Sequence, residues 1–224
     1  MRTAALLLFA LTGCAHQFAG RATVLEPGAS QLTPSAELDF ASVRGTEEST
    51  NIPAAWVGMG YHLGVGARTQ LGVRVFGFGV PGTAGAFGVA ADSKFQLFKA
   101  DDREWGWDIA IGLSPSYHAV VQGDQPFHLF GFTVPLLFGK NFGAHQLILG
   151  LRVADYVLTS YGMKTQNFFW GGASVGFSLR VRRVELMPEV SMMYSPVKFN
   201  GERPDEKRNG VVYVSFGLSV PISL

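Results

Sequence analysis

With 224 residues, 18 of them basic and 17 acidic, the chain has a net charge of +1 and suits a single all-β domain. Near-neutrality excludes a basic field for nucleic acid and an acidic field for cationic partners. Charged residues are 16% of the chain, against about a quarter in ordinary soluble domains. Glycine numbers 28 and aromatics reach 12%, so a charged shell is not what covers this fold.

The first element is an export signature. Met1-Arg2-Thr3 carries one basic side chain, Ala4 to Leu11 is a short apolar run, and small residues precede Cys14. That order describes a signal peptide, and the run is too short to cross a bilayer as a helix. Residues 1–13 are therefore expected to be removed. Cys14 is the sole cysteine, and a lone thiol in an exported protein needs an explanation other than a disulfide. Leu11-Thr12-Gly13-Cys14 resembles the bacterial lipobox. The resemblance implies cleavage before Cys14 and acylation of its sulfur. Ala15, where aspartate would favour the inner membrane, implies sorting to the outer membrane. An ordinary signal peptide with an incidental cysteine is the alternative. Residues 14–30, with Gly20, Pro27, Gly28 and Ser30, have little periodicity and are expected to be a lipid-anchored linker.

From about Gln31 the hydrophobic period is two, and no stretch offers apolar residues at i, i+3, i+4 and i+7 long enough for a core helix. The alternating segments are 31–44, 54–65, 69–79, 87–99, 105–118, 127–140, 146–157, 167–180, 184–195 and 210–222. About 10 strands are expected, with 8 or 12 as alternatives, each long enough for a tilted membrane strand. Short turns are expected at Gly66-Ala67-Arg68, Asp101-Asp102-Arg103, 141–145 and Arg182-Arg183. Longer loops are expected at 45–53, 80–86, 119–126, 158–166 and 196–209. Bacterial outer-membrane barrels alternate in this way, with the short turns in the periplasm. Pro115, Pro135 and Pro188 fall inside segments and call for bulges or displaced boundaries, because each removes a ladder hydrogen bond.

Alternation alone also suits a soluble barrel whose apolar face turns inward. The opposite face decides. In 87–99, Phe87, Val89, Ala91, Phe95 and Leu97 oppose Gly88, Ala90, Asp92, Lys94 and Gln96; in 167–180, Phe169, Ala173, Val175 and Phe177 oppose Gly172, Ser174, Gly176 and Ser178. Glycine, serine and a few charges fit a narrow lumen, where small residues let the wall close. The expected lumen network sets Glu37, Asp39, Asp92, Asp108, Glu185 and Glu189 against Arg74, Lys94, Arg152 and Arg180. These should pair across strands, since isolated charges in a low-dielectric interior are costly. A barrel so filled is plugged rather than open. Trp56, Trp105, Tyr156, Phe168, Tyr194 and Tyr213, at segment ends, are expected to form interfacial girdles.

The last segment places Val212, Val214, Phe216, Leu218, Val220, Ile222 and Leu224 on one face. It resembles the C-terminal assembly signal of bacterial outer-membrane barrels, departing from it at Leu224, where that family has Phe or Trp. After residue 30 the chain is similar to small bacterial outer-membrane β-barrel proteins. Ala22 to Gly28 and the Asp92 to Leu97 strand look like members without an assigned activity. The resemblance implies an all-β, antiparallel up-and-down transmembrane β-barrel over 31–224. It implies the Gram-negative outer membrane as location and its lipid as partner, and it carries over no catalytic residue.

The chain lacks a P-loop, HExxH, CxxC and a GxSxG on a helix, so no cofactor and no metal are expected. His62 and His145 read as structural. His118, Asp124 and His128, with Ser114 and Ser116, form the nearest constellation to a base and its orienting partner, the basis of a minor reading as a lipid hydrolase or protease. The charged stretch from Asn200 to Asn209 reads as a solvated loop. With the other long loops, it is where envelope proteins or lipopolysaccharide would be met. The leading expectation is a barrel lipoprotein with a structural or surface-interaction role and no enzymatic activity. The alternatives are a narrow channel or transporter for small solutes, the hydrolase, and a lipid-anchored soluble periplasmic barrel.

Overall fold

The computed structural model describes residues 20–44, 51–80, 84–100, 106–122, 125–160, 165–196 and 210–224. The alternating segments become β1 (Ser30–Arg44), β2 (Asn51–Gly66), β3 (Thr69–Val80), β4 (Ala84–Phe98), β5 (Trp107–Gln122), β6 (Gln125–Phe142), β7 (His145–Ser160), β8 (Gln166–Val181), β9 (Val184–Ser195), β10 (Gly210–Ser219) and β11 (Ile222–Ser223). Each of β1 to β9 pairs antiparallel with its successor. β1 also pairs with β10, Leu38 opposite Phe216, which closes the sheet. β11 continues β10 past Val220 and Pro221, facing Leu32 of β1 and Val184 of β9. The wall is therefore a closed ten-stranded barrel. Closure leaves no sheet edge, so the ladder satisfies the backbone without water.

Three tight turns, at Ala67-Arg68, Gly143-Ala144 and Arg182-Arg183, define one rim. Arg182 at φ 58° and Gly143 at φ 61° lie in the left-handed region that such hairpins require. The connections at the other rim differ from the sequence expectation. β4 already begins at Ala84, and β5 and β6 run to Gln122 and from Gln125, so the loops expected at 80–86 and 119–126 are largely strand. On the turn rim, the link from Phe98 to Trp107 is longer than the expected three-residue turn. Small residues such as Ala84, Gly85 and Ala119 keep the ladder without an apolar signal, which is why alternation lost them.

The prolines cause no bulge. Ladder pairs are missing beside Pro115 between Ala90↔Ser116 and Ser93↔Leu113, beside Pro135 between Ile111↔Leu136 and Ser114↔Thr133, and beside Pro188 between Gly176↔Glu189 and Leu179↔Leu186. The register is the same on both sides of each gap, so the missing donor is absorbed without an extra residue. The bulges lie elsewhere, at Gly64/Gly66 and Gln96/Phe98 near the turn rim.

Outward positions carry the large apolar side chains: Val57 is 66% exposed, Val73 58%, Leu151 53% and Phe169 54%. Such residues recur on every strand from β1 to β10 and form a continuous belt, far larger than a water-soluble surface tolerates. This overturns the soluble-barrel alternative: the barrel spans a membrane. The girdle expectation needs correction. Trp56, Tyr156, Phe168 and Tyr213 are buried inside the barrel, because they share the parity of the lumen residues. Trp105 lies outside the described residues. Tyr194 does face outward, with Tyr61, Trp107 and Phe142, and Lys140 Nζ lies 5.5 Å from the centre of the Trp107 ring.

Candidate functional site: the filled lumen and its N-terminal strap

The loop-rim half of the lumen is a dry core. Trp56, Leu129, Tyr156, Trp170, Met193 and Tyr213 meet there, with Phe76 packed against them. Trp170, Tyr156 and Tyr213 are fully buried. The glycines of the inner face make room for these groups: a Cβ on Gly131 would lie 2.3 Å from Tyr156, and one on Gly88 2.3 Å from Phe76. A ten-stranded wall is narrow enough for side chains to meet across its axis, and here they do so fully buried.

Polar groups take over toward the middle. Arg74 pairs with Asp92, donating from Nη2 to Oδ1 at 2.7 Å, and Ser114 also donates to Asp92. Arg152, 3% exposed, pairs with Glu189 and donates to Ser174 at 3.3 Å. The Tyr213 hydroxyl donates to Glu37 at 3.4 Å, and Asp39 is buried beside them. The remaining network residues depart from cross-strand pairing by opposite charge. Asp108 accepts from neutral donors: Gln96 at 3.0 Å, Asn141 at 2.6 Å, Gln146 at 3.2 Å and the Ala100 amide at 3.0 Å. Arg180 is exposed at the turn rim. Glu185 accepts from Ser178 on the wall and, with Lys94, finds a further partner off it.

Those partners come from the segment expected to be a linker. Its second half, Gly20 to Ala29, crosses the mouth of the barrel at the turn rim as a strap. Glu26-Pro27-Gly28-Ala29 is a turn, closed by Ala29 N donating to Glu26 O at 2.9 Å with Gly28 at φ 82°, and it leads into β1. Proline then glycine is the composition such a turn requires. Gly64 clamps this end: Gly28 N donates to its carbonyl at 2.8 Å, and its N–H donates to Ala29 O at 2.9 Å.

Three glutamines reach up to hold the strap backbone. Gln70 Oε1 accepts from Leu25 N at 3.1 Å, Gln96 Oε1 from Val24 N at 3.4 Å, and Gln146 Oε1 from Ala22 N at 3.0 Å. Beyond them Arg21 bridges to Glu185 at 3.2 Å and to Ala144 O at 2.9 Å, while Lys94 Nζ donates to Arg21 O at 2.9 Å. Burial lowers the pKa of Arg21, Glu185 opposes that shift, and Arg180 adds to it. Two glycine notches receive the strap. A Cβ on Gly64 would lie 2.1 Å from Glu26 O, and one on Gly139 2.8 Å from Ala22 Cβ.

Of the residues suggested for hydrolysis, His118 and Ser116 come together, but His128 does not join them. His118 faces the lumen, 1% exposed, with Nε2 3.1 Å from Ser116 Oγ and its ring against Phe76 and Tyr156. His128 faces outward, 2.8 Å from the Tyr117 hydroxyl and stacked on that ring. The wall separates the two imidazoles, and Asp124 lies outside the described residues. His62 Nε2 is 3.5 Å from Asp92 Oδ2, and His145 Nδ1 accepts from Arg180 N at 3.3 Å. Among the described residues no cluster of three metal-ligating groups forms.

No protein-family model matches the chain, and no curated protein matches it. Among solved structures it is similar to the translocator domain of autotransporter NalP from Neisseria meningitidis, at 11% identity, over 99% of this chain and 97% of that one, with a TM-score of 0.43. It is similar to the transport unit of autotransporter AIDA-I from Escherichia coli at 10% identity, over 99% and 97%, with a TM-score of 0.44. For the attachment invasion locus protein Ail of Yersinia pestis the values are 8%, 88%, 99% and 0.28.

The strap and its receptors escaped the sequence reading. One signal was present: Gln70, Gln96 and Gln146 fall on the inner face of the wall, each close to the turn rim. A long neutral amide there has both a donor and an acceptor to offer a passing backbone.

Proposed function

We propose that the chain is an outer-membrane β-barrel lipoprotein of Gram-negative bacteria, anchored additionally by acyl chains on Cys14, with a structural or surface-interaction role. It acts through its long connections toward envelope proteins or lipopolysaccharide, not as an open channel. One observation carries this reading: the lumen is obstructed at three levels, by an aromatic core, a charged middle and the strap. Solute passage would require removing buried aromatic packing and a buried ion pair together, which a narrow barrel does not do at low cost. The apolar belt supports membrane insertion, and the lipobox-like Leu11 to Cys14 supports the anchor. Placement of His118 and His128 on opposite faces supports a role without catalysis.

The test is conductance of the purified protein in planar bilayers, alongside gel mobility with and without boiling. A heat-dependent mobility shift with no stepwise current is expected; steady current would replace this reading with the channel. Labelling with radioactive palmitate should mark the wild type and spare Cys14→Ser, while both retain the mobility shift. Label on neither protein would remove the anchor and leave the barrel.

A further inference from the structure

The strap does not fill the whole mouth. Between it and the wall, from β8 round through β1 to β4, remains a cavity of about 420 Å³. That volume lies in the range of small-molecule sites, about 300–1,000 Å³. Its charged lining is mainly cationic: Arg21, Arg74, Lys94 and Arg180, against Glu26 and Glu185.

The cations are not equally engaged. Arg21 is held by Glu185 and Arg74 by Asp92. Lys94 and Arg180 have no carboxylate within 4.0 Å among the described residues. Lys94 is only 9% exposed and donates to a single carbonyl, that of Arg21, although an ammonium has three N–H groups to place. Two further polar atoms on the same lining, Thr33 Oγ1 and His62 Nδ1, are buried without a hydrogen-bond partner. Buried donors in this number are normally satisfied, and a buried ammonium whose countercharges, Asp92 and Glu185, stand beyond contact distance is poorly compensated.

We propose that this cavity binds a small anion bearing carboxylate or phosphate groups, with Lys94 as its inner contact and Arg180 as its outer one. Thr33 and His62 supply further hydrogen bonds beside it, and the strap forms one wall through Arg21. Arg180 also lies near enough to Arg21 for the two guanidinium groups to repel, so an anion between them relieves a like-charge contact. Access is from the turn rim, and the site requires neither an open lumen nor acylation of Cys14. Its failure is therefore separate from that of the role proposed above.

The test is isothermal titration of inorganic phosphate and of citrate into the full chain purified in detergent, with glucose as the neutral control. Saturable binding of at least one anion and none of glucose is expected, weakening as salt is raised. Lys94→Met should weaken it about tenfold, the loss of one charge-assisted hydrogen bond, and Arg180→Gln by a smaller factor. The heat-dependent gel shift checks folding of each variant. Should Lys94→Met not fold, Arg180→Gln at the exposed rim and Gly64→Val, which displaces the strap wall, still decide the matter. The proposal is overturned if neither anion binds at millimolar concentration. It is equally overturned if the folded variants all bind like the wild type, which would mean that water alone occupies the cavity.

Discussion

The two halves of the lumen are built from the same alternating wall, yet they are filled in different ways. Toward the loop rim, the wall fills itself: Trp56, Tyr156, Trp170 and Tyr213 reach inward and meet over glycines. Toward the turn rim, the wall offers glycine notches and glutamine side chains, and the filling is a separate piece of chain, Gly20 to Ala29. Self-filling gives a core that opens only when the barrel does. Borrowed filling gives a plug held by a few hydrogen bonds and ion pairs, which a single change can loosen without unfolding the wall. Stability and adaptability are thus divided along the barrel axis.

Four substitutions sharpen this contrast. Trp170→Ala, in the self-filled half, leaves a cavity that rigid strands cannot collapse, and should cost about 3–5 kcal/mol. Denaturant unfolding of the refolded barrel would show it; a cost below about 1 kcal/mol would mean that the aromatic core is loosely packed. At the boundary of the halves, Glu189→Gln strips the countercharge from Arg152, whose side chain is 1% exposed. A loss of about 3 kcal/mol is expected, and the double variant Arg152→Met with Glu189→Met should recover most of it.

Changes in the borrowed half should read out differently. Gly64→Val drives a side chain into the Glu26 carbonyl and should expel the strap. Limited proteolysis would then cut within residues 20–29 while the heat-dependent gel shift persists; a protected strap would show that Gly64 is not its clamp. Gln146→Leu removes one acceptor for the strap, at Ala22 N, and one donor to Asp108. It should cost about 1–2 kcal/mol and give partial protease sensitivity, the smallest effect of the four.

The outer wall was the most legible part of the molecule. Phe87, Val89, Phe95 and Leu97 read as one face, and all four are outward and exposed. The final segment was equally plain, since Phe216 and Leu218 point out while Tyr213, Ser215 and Ser219 are buried. The girdle residues were misread although parity already assigned them: Trp56 and Tyr156 share the face of Gly58 and Ala154. An aromatic near a strand end suggested the interface, whereas its parity placed it in the lumen. Among the charges, Arg74 and Asp92 are diagonal neighbours on adjacent strands, opposite Ala90 and Gly72, a spacing that a long side chain spans. Register misleads for Glu185, which stands directly opposite Arg180 but pairs with Arg21, outside the periodic region.

By itself, then, the sequence determined a period-two wall with one continuous apolar face, the other mixing glycine, serine and charge with aromatics such as Trp56, Tyr156 and Tyr213. Strand geometry turns that alternation into two faces, and composition decides which face meets lipid. The tertiary structure decided how the space inside is used. Closure brings β1 against β10 and sets residues far apart in the chain, such as Ala22 and Gln146, within hydrogen-bond reach. An aperiodic decapeptide has no local preference that reveals its destination. It becomes a plug because unsatisfied amides and charges at one barrel mouth make that the place where its backbone polar groups are satisfied.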